Sequence, residues 1–149
     1  MTDPSAGPAP LPDALSVVIE REFAFPPEKL WRALTHPHLI EDWLMKNDFA
    51  PVVGHRFELR GDWGGVLDCE VLTLEPNRTL AYRWDHANDD AALDLRSVVT
   101  FTLTPTSVGT HLRMEQSGFR PGQKQAYGGA HHGWRNFLEK LDRLLAGLE

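Results

Sequence analysis

Cysteine is almost missing from this chain. Cys69 is the only one in 149 residues, so no internal disulfide can form, and the composition fits a reducing compartment, with the cytoplasm as the expected location. Long apolar runs are missing as well. None approaches the roughly 20 residues that span a bilayer, and the N-terminus lacks the charged and apolar regions of a secretory signal, so no membrane insertion is expected. Positive charge is in deficit, with 15 Lys and Arg against 21 Asp and Glu and a net charge of −6. That balance argues against nucleic acid as a partner, since phosphate binding needs a basic surface.

The usual signatures of enzyme chemistry are also lacking. There is no Gly-x-Ser-x-Gly elbow, phosphate loop or dinucleotide fingerprint. His131 and His132 point about 100° apart on a helix and cannot share a metal from one face. His36 and His38 have no acidic or cysteine partner at ligand spacing. The acidic stretch 85–94 lacks the calcium-loop pattern and reads as a solvated loop. Cys69 falls mid-strand in the inward phase, as a small buried hydrophobe rather than a nucleophile. No metal and no cofactor are expected.

What is present suits one globular domain: 42% hydrophobic and 24% charged residues, with a length able to bury about 68–70% of the unfolded surface. Residues 1–13, with Pro4, Pro8, Pro10 and Pro12, read as a disordered tail, leaving 14–149 as the domain. Leu15, Val17, Ile19, Phe23 and Phe25 alternate as a strand. Arg21 shares their inward phase, which demands a carboxylate, an escape to the sheet edge, or a polar ligand. Pro27 at a first helical position and the break at His36-Pro37 predict two short helices. Five more strands follow, at 55–60, 66–74, 80–84, 95–104 and 110–116. The switch of apolar phase between Val71 and Leu72 predicts a bulge.

The last segment, 123–148, is different. Tyr127, Ala130, Trp134, Phe137, Leu141, Leu144 and Leu148 form an apolar stripe at helical spacing, widened by Leu138 and Leu145. One strand, two short helices, a five-strand meander and a long helix together define an α+β fold.

The run Pro27-Glu28-Lys29-Leu30-Trp31-Arg32-Ala33-Leu34-Thr35-His36-Pro37, ending in Trp43, resembles the opening of the START-like (SRPBCC) superfamily, in its branch homologous to the activator of the heat-shock-protein-90 ATPase. Val53-Gly54-His55-Arg56-Phe57, Glu75-Pro76-Asn77-Arg78-Thr79-Leu80, Ser97-Val98-Val99-Thr100-Phe101, Gly109-Thr110-His111-Leu112, Ser117-Gly118-Phe119 and Gly133-Trp134 continue the likeness in order. His55 departs from it, standing where relatives often carry a second glycine. The resemblance implies a helix-grip fold, in which a curved antiparallel sheet of about six strands wraps a long C-terminal helix beside an apolar cavity.

Within that frame the expected function is non-catalytic binding of a small hydrophobic molecule, lipid-like or aromatic and polyketide-like. Phe57, Tyr82, Trp84, Phe101, Met114, Ala130 and Trp134 are the expected walls. Tyr127, His131, Arg21 and Gln116 are the expected polar contacts. Gly128, Gly129 and Gly133 make the first half of the helix thin, for ligand access, for close packing or through fraying. The alternatives are a protein-interaction module resembling the co-chaperone domain that activates a chaperone ATPase, with a place in the stress response and with Trp63 and the 85–94 loop as contacts, and a cyclase-like or hydrolase-like enzyme.

Overall fold

Alternation from Leu15 onward builds β1 (Leu15–Phe23), with Val17 and Phe23 fully buried. The computed structural model describes residues 15–148; the proline-rich stretch 1–13 lies outside them. Pro27 opens α1 (Pro27–Thr35), and Pro37 opens α2 (Pro37–Trp43) directly after the extended His36. Each proline sits where its missing N–H leaves no bond unmade. The buried Trp43 indole donates to the Ala33 carbonyl at 2.8 Å and so ties the two short helices together.

The strands that follow are β2 (Lys46–Asn47), β3 (Arg56–Arg60), β4 (Val66–Glu75), β5 (Thr79–His86), β6 (Leu95–Pro105) and β7 (Thr110–Phe119). They form one antiparallel sheet in the order β1-β7-β6-β5-β4-β3-β2. The seventh strand, beyond the expected six, is β2. Its two residues are too short to show alternation and are defined only by pairing with Arg60 and Leu59. The predicted bulge is present, as the β4–β5 register shifts between Val71 and Thr73. The extra residue, Leu72, faces outward, and the local twist it adds helps curve the sheet.

A short 3-10 turn (Pro121–Gln123) leads into α3 (Lys124–Gly147), 24 residues and roughly 36 Å long. The buried Gln123 carboxamide stitches this junction to the 87–94 loop, donating to the carbonyls of Ala91 at 3.1 Å and Asp94 at 2.6 Å. The buried line of α3 is Trp134, Leu138, Leu141 and Leu145. Phe137, Leu144 and Leu148, which the sequence placed on the central stripe, are only partly buried. The sheet therefore grips the helix about one residue further round than the simple three-and-four reading suggests.

Candidate functional site

Neighbouring strands bring inward residues into rows across the concave face. Tyr82 on β5 stands opposite Val99 on β6, and Val99 opposite Gln116 on β7. Trp84 stands opposite Ser97, and Leu80, Phe101 and Met114 form the next row. Trp134 of α3 comes down onto these rows. Its ring centroid lies 5.1 Å from Trp84, 5.7 Å from Phe101 and 5.5 Å from Phe137. A second group centres on Tyr82, 5.2 Å from Phe57 and 6.1 Å from Phe101. Edge-on and tilted contacts at these separations are favourable aromatic geometry.

One polar relay runs through this apolar cluster. Ser97 Oγ donates to the Trp84 carbonyl at 2.5 Å, Gln116 Nε2 donates to Ser97 Oγ at 3.0 Å, and Trp134 Nε1 donates to Gln116 Oε1 at 2.8 Å. Ser97, Gln116 and Trp134 are all buried. Among the described residues no buried side-chain polar atom lacks a partner. Burial, with a further push from Cys69, raises the Tyr82 phenol well above its ordinary value. Burial first, then Asp85, Asp68 and Asp48, raises the Cys69 thiol. Both groups stay protonated near neutral pH, so neither is poised as a base or nucleophile.

Seven of the eleven predicted site residues thus meet: Phe57, Tyr82, Trp84, Phe101, Met114, Gln116 and Trp134 are all buried on the sheet–helix interface. The other four lie elsewhere. The Tyr127 hydroxyl donates to the Ser16 carbonyl of β1 at 3.2 Å, and its ring stacks edge-on against Phe119. Arg21 pairs with Asp142 at 3.2 Å, fifteen residues along α3 from Tyr127, or roughly 22 Å. Ala130 packs half-buried on the core edge. His131 is half-buried and has no hydrogen-bond or ion-pair partner among the described residues.

Ser97 is the member of the relay that the sequence reading overlooked. Its signal is the one that marks Arg21, a polar residue in the inward phase of a strand. The glycines of α3 also differ from one expectation. A Cβ at Gly128, Gly129 or Gly133 would meet nothing within 4 Å, so close packing does not account for them.

Beside the cluster, a groove of about 350 Å³ opens between the end of α2, the β3–β4 hairpin and α3. Trp43 and Phe137 line it, and these two rings also touch Phe101 and Trp134 of the cluster. Trp63 stands on its rim, 63% exposed. Its ring lies so close over Gly61 and Gly65 that a Cβ would come within 2.1 Å and 1.4 Å of it respectively, so a side chain at either position would push the ring aside.

A curved, open antiparallel sheet wrapped around a long C-terminal helix, with two short helices after the first strand, defines the helix-grip class of α+β domains. The profile of one such family, described as Activator of Hsp90 ATPase homolog 1-like protein, matches residues 24–146, and the chain belongs to that family. Among solved structures, protein MLL2253 from Mesorhizobium loti is 69% identical, with 91% of this chain and 99% of that one covered at a TM-score of 0.89. A protein from Rhodobacter sphaeroides is 28% identical, covering 96% of this chain and 97% of that one at a TM-score of 0.72. CalU16 from Micromonospora echinospora, 24% identical over 89% of this chain and 76% of that one at a TM-score of 0.74, shares the fold. No curated protein matches the chain. No helix among the described residues is long and apolar enough to cross a membrane.

Proposed function

We propose that this domain binds a small, planar hydrophobic molecule between the sheet and α3 at Trp134, without turning it over. The observation that carries this reading is the relay from Trp134 through Gln116 to Ser97, a polar thread at the centre of an aromatic wall. Pockets for small molecules combine largely apolar walls with a few placed polar groups. The wall rings would supply affinity by burial, and Gln116 would orient the ligand. Membership of the family is in keeping with a ligand-binding or protein-binding role, though fold alone assigns no activity. The groove lined by Trp43 and Phe137 offers a route to the cluster from solvent.

Catalysis has less support, because the titratable groups of the cluster, Tyr82 and Cys69, are both held protonated by burial. A second reading, a protein contact, is favoured by one observation. Trp63 is an exposed indole lying beside two glycines at a groove rim, and tryptophans are common anchors of protein interfaces. On that reading the partner is a chaperone or another protein.

The test is titration with naphthol, followed by the indole N–H resonances of Trp84 and Trp134. Both should shift on binding. Ala130→Trp, which adds bulk on α3 one turn before Trp134, should weaken binding by about tenfold or more while thermal unfolding stays close to wild type. Unchanged affinity in Ala130→Trp, or shifts confined to Trp63, would overturn this placement.

A further inference from the structure

We propose, building on the ligand-binding reading above, that the Trp134 indole occupies the ligand seat as an internal stand-in. On this proposal Gln116 makes the seat selective for planar aromatic molecules that carry an N–H or O–H donor. The direction of the relay fixes this selectivity. The Trp84 carbonyl can only accept, so the Ser97 hydroxyl spends its single proton there, at 2.5 Å. Ser97 Oγ must then accept from Gln116, which turns the Nε2 amino group of the carboxamide toward Ser97, at 3.0 Å. The amide cannot flip without setting two acceptors against each other. Gln116 Oε1 is therefore left facing α3, where it meets the Trp134 N–H at 2.8 Å.

Gln116 is 1% exposed, so water cannot readily replace that donor. A molecule that takes the place of the indole must satisfy Oε1 itself, because a buried acceptor left unpaired is costly. Trp134 already has the form of such a molecule, a flat bicycle with one donor and ring neighbours in Trp84, Phe101 and Phe137. On this proposal its way out lies past Phe137. Gly133 precedes it on the side of α3 that carries Phe137 one turn later, and a Cβ added at Gly133 would meet no other side chain within 4 Å. Phe137 in turn lines the groove, and on this proposal the indole swings past it toward solvent as the ligand enters.

The experiment compares naphthol with methoxynaphthalene, which has the same ring system and an ether oxygen that can only accept. In the wild type, naphthol should bind about tenfold or more tightly, with the Trp134 indole N–H resonance moving toward its solvent-exposed position. Gln116→Leu should reduce the ratio to about one. Ser97→Ala leaves the Trp134 partner in place and frees the amide to flip, so it should raise the affinity for methoxynaphthalene and narrow the ratio. The second variant keeps the test decisive if Gln116→Leu does not fold. Equal affinities in the wild type, with Trp134 perturbed, would overturn the donor requirement and leave the ligand seat standing. A naphthol preference unchanged in both Gln116→Leu and Ser97→Ala would overturn the role of Gln116. No perturbation of Trp134 by either probe would overturn the seat itself, and with it the function proposed above.

Discussion

The two halves of α3 are held by different physics. From Trp134 onward, Trp134, Leu138, Leu141 and Leu145 are each at most 1% exposed, and Asp142 pairs with Arg21 of β1. From Lys124 to Gly133 no side chain is fully buried. That half contains Gly128, Gly129 and Gly133, and the Tyr127 hydroxyl ties it to the Ser16 carbonyl of the sheet. The second half is fastened by burial. The first is helical backbone with little side-chain anchorage and three residues that each weaken a helix by about 1 kcal/mol relative to alanine. The difference suggests a spine with one yielding end, set beside the Trp134 seat.

The largest effect should fall on the buried half. Leu141→Ala removes a fully buried side chain and should cost about 2–5 kcal/mol, read as a lower denaturant midpoint with an unchanged slope. A loss below about 1 kcal/mol would mean that the sheet repacks around this half and that the contrast is weaker than drawn. The opposite sign is expected in the first half. Gly129→Ala introduces a methyl group that meets nothing within 4 Å, so it should stabilise the domain by up to about 1 kcal/mol. A destabilising result would show that the glycines are needed for the fold rather than for its mobility. If stability rises while naphthol affinity falls, the yielding end matters for binding.

Much of this contrast was readable from residues alone. Alternation in β1, β6 and β7, the bulge after Val71 and the two proline-started helices follow local rules that tertiary context did not override. The glycine-rich and leucine-rich parts of α3 were equally plain. What escaped was set by distance in three dimensions. An apolar stripe more than one residue wide does not say which edge the sheet will grip, so Leu138 and Leu145 turned out central and Phe137 and Leu144 peripheral. Tyr127 and Arg21 are amphipathic, and their partners, Ser16 and Asp142, are 111 and 121 residues away. Ser97 was visible as an inward polar residue, but only its contact with Gln116 reveals why it is there.

The smallest effect tests whether the two halves can be separated from the rest of the sheet. On the outer face, His111 of β7 bonds through Nε2 to Glu20 at 2.8 Å and through Nδ1 to Glu22, both on β1. Glu22 first, then Glu20, raises the His111 imidazole above its ordinary value of 6.5. The folded state therefore holds this proton more tightly than the unfolded chain does. The stabilisation is complete below about pH 6.5 and is lost as the pH rises through the raised folded value. Because the side chain is about one-third exposed, solvent screens the interaction and the pH dependence should be shallow. His111→Gln should flatten that part of the stability profile. Amide exchange should remain fast in 124–133 and slow from 134 onward at every pH, since neither half of α3 touches this triad. If raising the pH speeds exchange in the second half, β1 transmits the charge to the helix, and the two halves are not independent of the sheet edge beneath them.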